Sequence, residues 1–253
     1  MANPYFTKAK VTFKEFIKTT TNTEPNLLKI TIKLTAPESK PFRPGQFCTF
    51  RVGEGFFRAY SIASSYKNFE EYEFLISCGH EGIGANYFRN LNIGDEVVFL
   101  GPNGHFKIIV PVEKNILFLA TGTGISPYIS MIEFLMDNSC DTNIQLIHGF
   151  RDESNLNFYK DLHNNFKEKC TNFSSKIFIS KPTSNANNDF EKGRVTDYLK
   201  NLNLTSLQDT QIYLCGHPDM IDESVEFLVN NGFNMEKVMY EAFTSPGAYE
   251  KIN

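Results

Sequence analysis

Tryptophan is absent from the 253 residues, and no apolar run approaches the roughly 20 residues that a bilayer-spanning helix needs. The first ten residues, "MANPYFTKAK", lack the apolar core of a secretory signal. Neither membrane insertion nor export is therefore expected, and the expected location is cytoplasmic. Cysteine is sparse. Cys48, Cys78, Cys140, Cys170 and Cys215 are odd in number and widely scattered. Such spacing suggests neither a disulfide framework nor a clustered zinc or iron–sulfur site, and no protein-bound metal is expected. Excess positive charge is lacking too. A formal net charge of -4 does not suit a general nucleic-acid binder.

What is present is aromatic weight, with 24 Phe and 11 Tyr. Hydrophobic residues make up 41% and charged residues 21%, the balance of a folded globular chain. Charge is uneven along the chain. Through Phe106 there are 12 Lys and Arg against 10 Asp and Glu; beyond it there are 13 against 19. The front half is thus mildly basic and suits an acidic partner.

The hydrophobic rhythm also changes midway. "AKVTFKEFIKTT", "LLKITIKLTA", "QFCTFRV", "FFRAYSIAS", "EYEFLISC" and "DEVVFLG" alternate or run apolar, with turn clusters such as "APESKPFRPG" between them. Six short strands of this kind predict an antiparallel β-barrel. One short helix fits "IGANYFRNL". Further on, the buried runs "NILFLATG", "NIQLIHG", "SKIFIS", "QIYLCG" and "KVMYEAF" alternate with amphipathic stretches near 126–138, 154–168, 195–202 and 218–231. That alternation predicts a doubly wound parallel sheet. The expected boundary lies near "HFKIIVPVEKN", giving domains 1–110 and 111–253. "TSNANNDFEKG" reads as a polar loop.

Within this frame, Arg58, Ala59, Tyr60 and Ser61 spell "RAYS" after "PFRPGQF". The tetrapeptide resembles the R-x-Y-[ST] flavin motif of the ferredoxin–NADP reductase family. The chemistry agrees: a guanidinium forks onto a pyrophosphate, and a Tyr two residues along shares its strand face and suits an isoalloxazine ring. The Ser61 hydroxyl then suits a bond near flavin N5. "GHEGIGANYF" resembles the family's second flavin element, a glycine turn opening a helix whose N–H groups face the pyrophosphate. It contributes Gly82, Ile83, Gly84 and Ala85. Ala85 departs from the family's usual Ser or Thr, which removes one hydroxyl contact. The resemblance also assigns Leu75, Ile76 and Ser77 to the flavin. "GPNGHF" (Gly101, Pro102, Gly104, Phe106) resembles the turn that closes the family's barrel.

Gly122, Thr123 and Gly124, with Pro127, resemble the family's G-T-G-x-x-P dinucleotide turn. Cys215, Gly216, Pro218 and Met220 resemble its C-G-x-P-x-M element, which implies a Cys215 beside the nicotinamide C4. Ser180, Lys181 and Arg194 suit a 2′-phosphate and hence NADPH, while Arg194 also fits a context that NADH users share. "YEAF" resembles the family's carboxyl-terminal strand, assigning Glu241 to a hydrogen-bond network with Ser61 and Cys215. Phe243 and Thr244 are assigned to the flavin. The chain continues through "TSPGAYEKIN", so Phe243 and Tyr249 are both candidates to cover the ring.

The resemblance implies a short bacterial-type FAD flavoprotein exchanging electrons between NADP(H) and a ferredoxin or flavodoxin. Ser61, Cys215 and Glu241 would be its catalytic residues, and a monomer is expected. Three alternatives stay open: an NAD(P)H-dependent flavin or quinone reductase, the reductase subunit of an oxygenase-type complex, and a binding module without turnover.

Overall fold

The computed structural model describes residues 6–21, 24–35, 40–79, 81–139, 141–183, 189–203 and 207–243. The chain divides into two compact units. One is Met1–Ile108 together with Ser126–Phe134, and the other is Ile109–Ile125 with Leu135–Asn253. Among the described residues no helix is long and apolar enough to cross a membrane.

In the first unit six antiparallel strands form one curled sheet. They are β1 (Thr7–Phe16), β2 (Leu27–Leu34), β3 (Phe47–Gly53), β4 (Phe56–Ser61), β5 (Glu71–Ser77) and β6 (Glu96–Asn103). Their order is β4-β3-β6-β1-β2-β5. The two edge strands approach through one bond just beyond β4, where Ala63 N donates to the Glu73 carbonyl at 2.7 Å. Alternation along β1 buries Thr7, Ala9 and Val11 and exposes the lysines between them. Aromatic rings fill the interior. Phe50 is fully buried and meets Phe74, Phe88 and Phe99 at centroid distances of 5.0, 5.2 and 5.4 Å. Short helix α1 (Ile83–Asn90) supplies Phe88 to this cluster.

The second unit carries six parallel strands: β7 (Asn115–Thr121), β8 (Asn143–Phe150), β9 (Phe173–Ile179), β10 (Glu191–Lys192), β11 (Thr210–Gly216) and β12 (Val238–Ala242). The order is β10-β9-β8-β7-β11-β12. Helix α2 (Ser126–Asn138) follows β7, its residues through Phe134 grouping with the first unit, and α3 (Leu156–Lys169), α4 (Val195–Lys200) and α5 (Pro218–Asn230) alternate with the later strands. All seven residues of β11 are buried, as expected for a central parallel strand covered on both faces. After β7 the chain steps outward through β8, β9 and β10, then returns to the other side of β7 as β11. The strand order therefore reverses at the carboxyl ends of β7 and β11, the topological switch point of such sheets.

The antiparallel barrel-like sheet and the doubly wound parallel sheet match the expected fold class. Two local features differ from the sequence reading. The end of the polar loop pairs as β10, with Lys192 opposite Ile179. A 3-10 turn at Gly122–Ile125 precedes α2.

Candidate functional site

In the first unit Arg58 and Tyr60 lie two apart on β4 and so share one face. Tyr60 is half-buried, edge-on to Phe88 at 4.9 Å and to Phe50 at 6.1 Å. Its hydroxyl reaches α1. A Cβ at Gly84 would collide with Tyr60 Oη and press on Arg58 Cγ at 3.2 Å, so only glycine admits this approach. Burial pushes the Tyr60 phenol up to about 12, against the opposing pull of Arg58. The guanidinium donates to its neighbour's carbonyl, Phe57 O, at 2.8 Å and forms no ion pair among the described residues. Its charge is therefore available to an anion.

Helix α1 begins at Gly82, whose extended backbone (φ -168°) provides no side-chain cap. The early N–H groups of the helix thus lack a side-chain acceptor, and the helix dipole favours an anion there. Ala85 is buried and offers no hydroxyl, while Ile83 is exposed. At the far end of α1 the Lys14 ammonium binds the Arg89 and Leu91 carbonyls at 2.6 and 2.5 Å, which fixes the helix against β1. Ser61 is buried; Ala59 is exposed. Leu75 and Ile76 are buried in packing, so they have only backbone to offer a ligand, whereas Ser77 is exposed. A guanidinium without an ion pair among the described residues, an uncapped helix start and a half-buried Tyr beside a glycine fit a flavin dinucleotide.

In the second unit Gly122 stands in the left-handed region (φ +53°) at the end of β7. A Cβ on Gly124 would collide with the Cys215 carbonyl oxygen and lie 2.7 Å from its carbon. The turn can therefore sit against the end of β11 only with glycine there. Gly216 (φ +133°) leaves room for Thr121 Oγ1, which accepts the His217 N–H at 2.8 Å. Pro218 opens α5, and Met220 is buried beneath it, with Ser224 Oγ bonding its sulfur at 3.8 Å. These contacts fit a dinucleotide that approaches backbone closely.

Cys215 is fully buried and lies opposite Ala120 on one side and Glu241 on the other. Burial, and then the Glu241 carboxylate, push its thiol well above the usual range. It is a neutral, polarizable thiol, not a thiolate. Phe243, half-buried, donates its N–H to Gly216 O at 2.7 Å. Thr244 and Tyr249 lie outside the described residues.

Ser180 and Lys181 follow β9, and Arg194 caps α4 after β10, with its N–H on Asp197 Oδ2 at 2.8 Å. Lys181 N donates to the Arg151 carbonyl at 2.7 Å, so Arg151, just past β8, stands beside Lys181. All three cationic side chains are exposed. Buried Glu153 ties the two loops together by accepting both the N–H and the hydroxyl of Thr183. Arg151 is not among the residues expected from sequence; its signal there is a cation directly after the second parallel strand.

Family models match most of the chain. "Oxidoreductase FAD-binding domain" covers residues 15–108 and "Oxidoreductase NAD-binding domain" covers 118–226. The reductase component of propane 2-monooxygenase from Mycolicibacterium smegmatis is 27% identical over 229 residues, 87% of this chain and 64% of that protein. The chain thus spans just under two thirds of that relative's length. The flavodoxin/ferredoxin–NADP reductase of Buchnera aphidicola is 31% identical over 84% of this chain and 87% of its own. A ferredoxin NADP+ reductase from Neisseria gonorrhoeae, solved with bound FAD and NADP, superposes with a TM-score of 0.79 at 23% identity. It is covered completely, along with 96% of this chain, and supports the fold. With its FAD-binding and NAD-binding domains, the chain belongs to the ferredoxin–NADP reductase family of oxidoreductases.

Proposed function

We propose that the protein is an FAD-dependent reductase that takes a hydride from NADPH and passes the electrons singly to a separate carrier, a ferredoxin or flavodoxin. The observation that carries this reading is a glycine-only approach at each motif: Gly84 against Tyr60 and Gly124 against Cys215. FAD, when bound, supplies the conversion between two-electron and one-electron chemistry. The protein supplies positions and charge. Arg58 and the start of α1 would hold the pyrophosphate, Tyr60 would offer its ring to the flavin, and Ser61 would offer its hydroxyl as a hydrogen-bonding group. Cys215 keeps its proton and would lie beneath the strand end that receives the nicotinamide. Glu241 polarises that thiol from the neighbouring strand. Arg151, Lys181 and Arg194 bind the 2′-phosphate, which selects NADPH over NADH.

Purified protein is expected to be yellow and to bleach anaerobically with NADPH faster than with NADH. Colourless protein that refuses added FAD would sink the proposal. A second reading, the reductase component of an oxygenase system, is favoured by the similarity to the propane 2-monooxygenase component. Stopped-flow reduction of isolated ferredoxins and flavodoxins, compared with an oxygenase, separates the two.

A further inference from the structure

Two buried imidazoles stand behind the Gly122–Ile125 turn. His148 on β8 is 0% exposed and His163 on α3 is 2% exposed. His148 Nε2 lies 2.7 Å from the Gly122 carbonyl oxygen, and its Nδ1 lies 3.2 Å from His163 Nε2. A carbonyl only accepts, so the proton of His148 is on Nε2. A neutral imidazole carries one N–H, which makes His148 Nδ1 an acceptor and His163 Nε2 the donor to it. The direction is fixed from α3 through β8 to the turn.

Both rings are neutral. Burial first, then the neighbouring imidazole, hold His148 well below its ordinary range, against the pull of the Gly122 bond. Burial and the Lys167 ammonium push His163 down to about 3. Phe150 and Tyr159 close over His148 at ring distances of 4.2 and 4.8 Å. Burial also keeps the Tyr159 phenol protonated, so Lys167 is the charged group that acts on the pair.

What the bond holds matters more than the bond itself. Among the described residues, and apart from the turn's own backbone, nothing lies within 4 Å of where a Gly122 Cβ would stand, so no side chain packs on that face of the residue. The His148 N–H holds the Gly122 carbonyl from the inner side. A carbonyl turned inward to a buried donor is also kept away from an incoming anion, which it would repel.

We propose that His163 and His148 form a directional hydrogen-bond relay that fixes the Gly122–Ile125 turn in the shape that receives the nicotinamide dinucleotide's phosphates. His148 is thereby a positioning residue for that cofactor. The proposal rests on reading this turn as the dinucleotide site, and the test separates the two.

The experiment uses the FAD-loaded protein with 15N-labelled histidine. Both rings are expected as the Nε2–H tautomer, unchanged between about pH 5.5 and about pH 8.5, where a free histidine titrates. An Nδ1–H tautomer at His148, or titration of either ring in that window, overturns the relay. Calorimetric titration with NADP+ and NAD+ then tests its purpose. Loss of one hydrogen bond predicts a Kd raised about fivefold to tenfold in His148→Phe. His148→Gln, whose amide N–H can reach the same carbonyl, should recover most of the affinity. The flavin spectrum should not change in either variant. Tight wild-type binding that persists in His148→Phe overturns the positioning role alone, whereas a wild-type protein that binds neither dinucleotide overturns the reading of the turn as well. If His148→Phe does not fold, His163→Leu, which removes the donor to His148 Nδ1, carries the same comparison through the tautomer of His148: a shift away from Nε2–H with weakened binding supports the relay, and unchanged binding overturns it.

Discussion

The two units hold their interiors together in different ways. The first packs rings around Phe50, on strands that bury one face and leave the other in water. The second packs aliphatic residues on both faces of strands such as β11, whose every residue is buried. Buried polarity differs as well. The second unit encloses a histidine pair, while the described histidine of the barrel, His105, is exposed. The barrel accordingly relies on shape at one aromatic hub, and the parallel sheet depends on neutral groups that acid can charge.

The largest test of this contrast is Phe50→Ala. Removing a fully buried ring should cost about 3–5 kcal/mol. Hydrogen exchange should lose protection across β2, β3, β5 and β6 while β7, β8 and β11 keep theirs. Equal loss in both units would show that they do not unfold separately.

Acid should strike the other unit. Histidines held below their unfolded pKa contribute stability that is fully present above about pH 6.5 and fades as pH falls toward the folded value near 3. Between pH 7 and pH 4.5 the second unit should lose about 2–4 kcal/mol. With no tryptophan to report, peptide-level hydrogen exchange is the suitable measurement. Replacing both histidines with Gln should flatten the dependence; an unaltered acid limb would assign it elsewhere.

The glycines sharpen the comparison further. Gly124→Ala drives a methyl into backbone, which cannot step aside, and should destabilise the second unit by about 1–3 kcal/mol. Gly84→Ala meets the far end of the Tyr60 side chain, which can move. Its stability cost should stay under about 1 kcal/mol, and its main effect should be lower FAD content, read from the flavin absorbance of purified protein. The smallest change is expected for Lys181→Ala. Removing one exposed cation should lower the NADPH-over-NADH ratio of kcat/KM by about fivefold, with Tm unchanged. A ratio that does not move would remove Lys181 from the phosphate site.

Much of this was legible from residues in order. Alternation in "LLKITIKL" and the unbroken apolar run of "YLCG" require different sheets, because one strand faces water and the other does not. "RAYS" and the Gly122–Thr123–Gly124 turn were legible because strand and turn geometry act between near neighbours. Phe13 shows where local reasoning ends. Alternation from Ala9 and Val11 points it inward, yet a bulge between Val11 and Phe13 leaves it 41% exposed. A bulge is decided by the partner strand, which no window on β1 contains.

Sequence by itself determined the two periodicities, the order of the glycine turns, and the absence of a cysteine cluster among the residues named. Each follows from composition or from spacing of a few residues. Tertiary structure alone decided that Gly84 meets Tyr60, that Arg151 stands beside Lys181, and that His163 bonds His148 behind Gly122. Those pairs are separated along the chain by 15 to 30 positions. Only the register of strands and the packing of helices bring such groups within reach, and the energy of a hydrogen bond or a steric clash changes over fractions of an ångström.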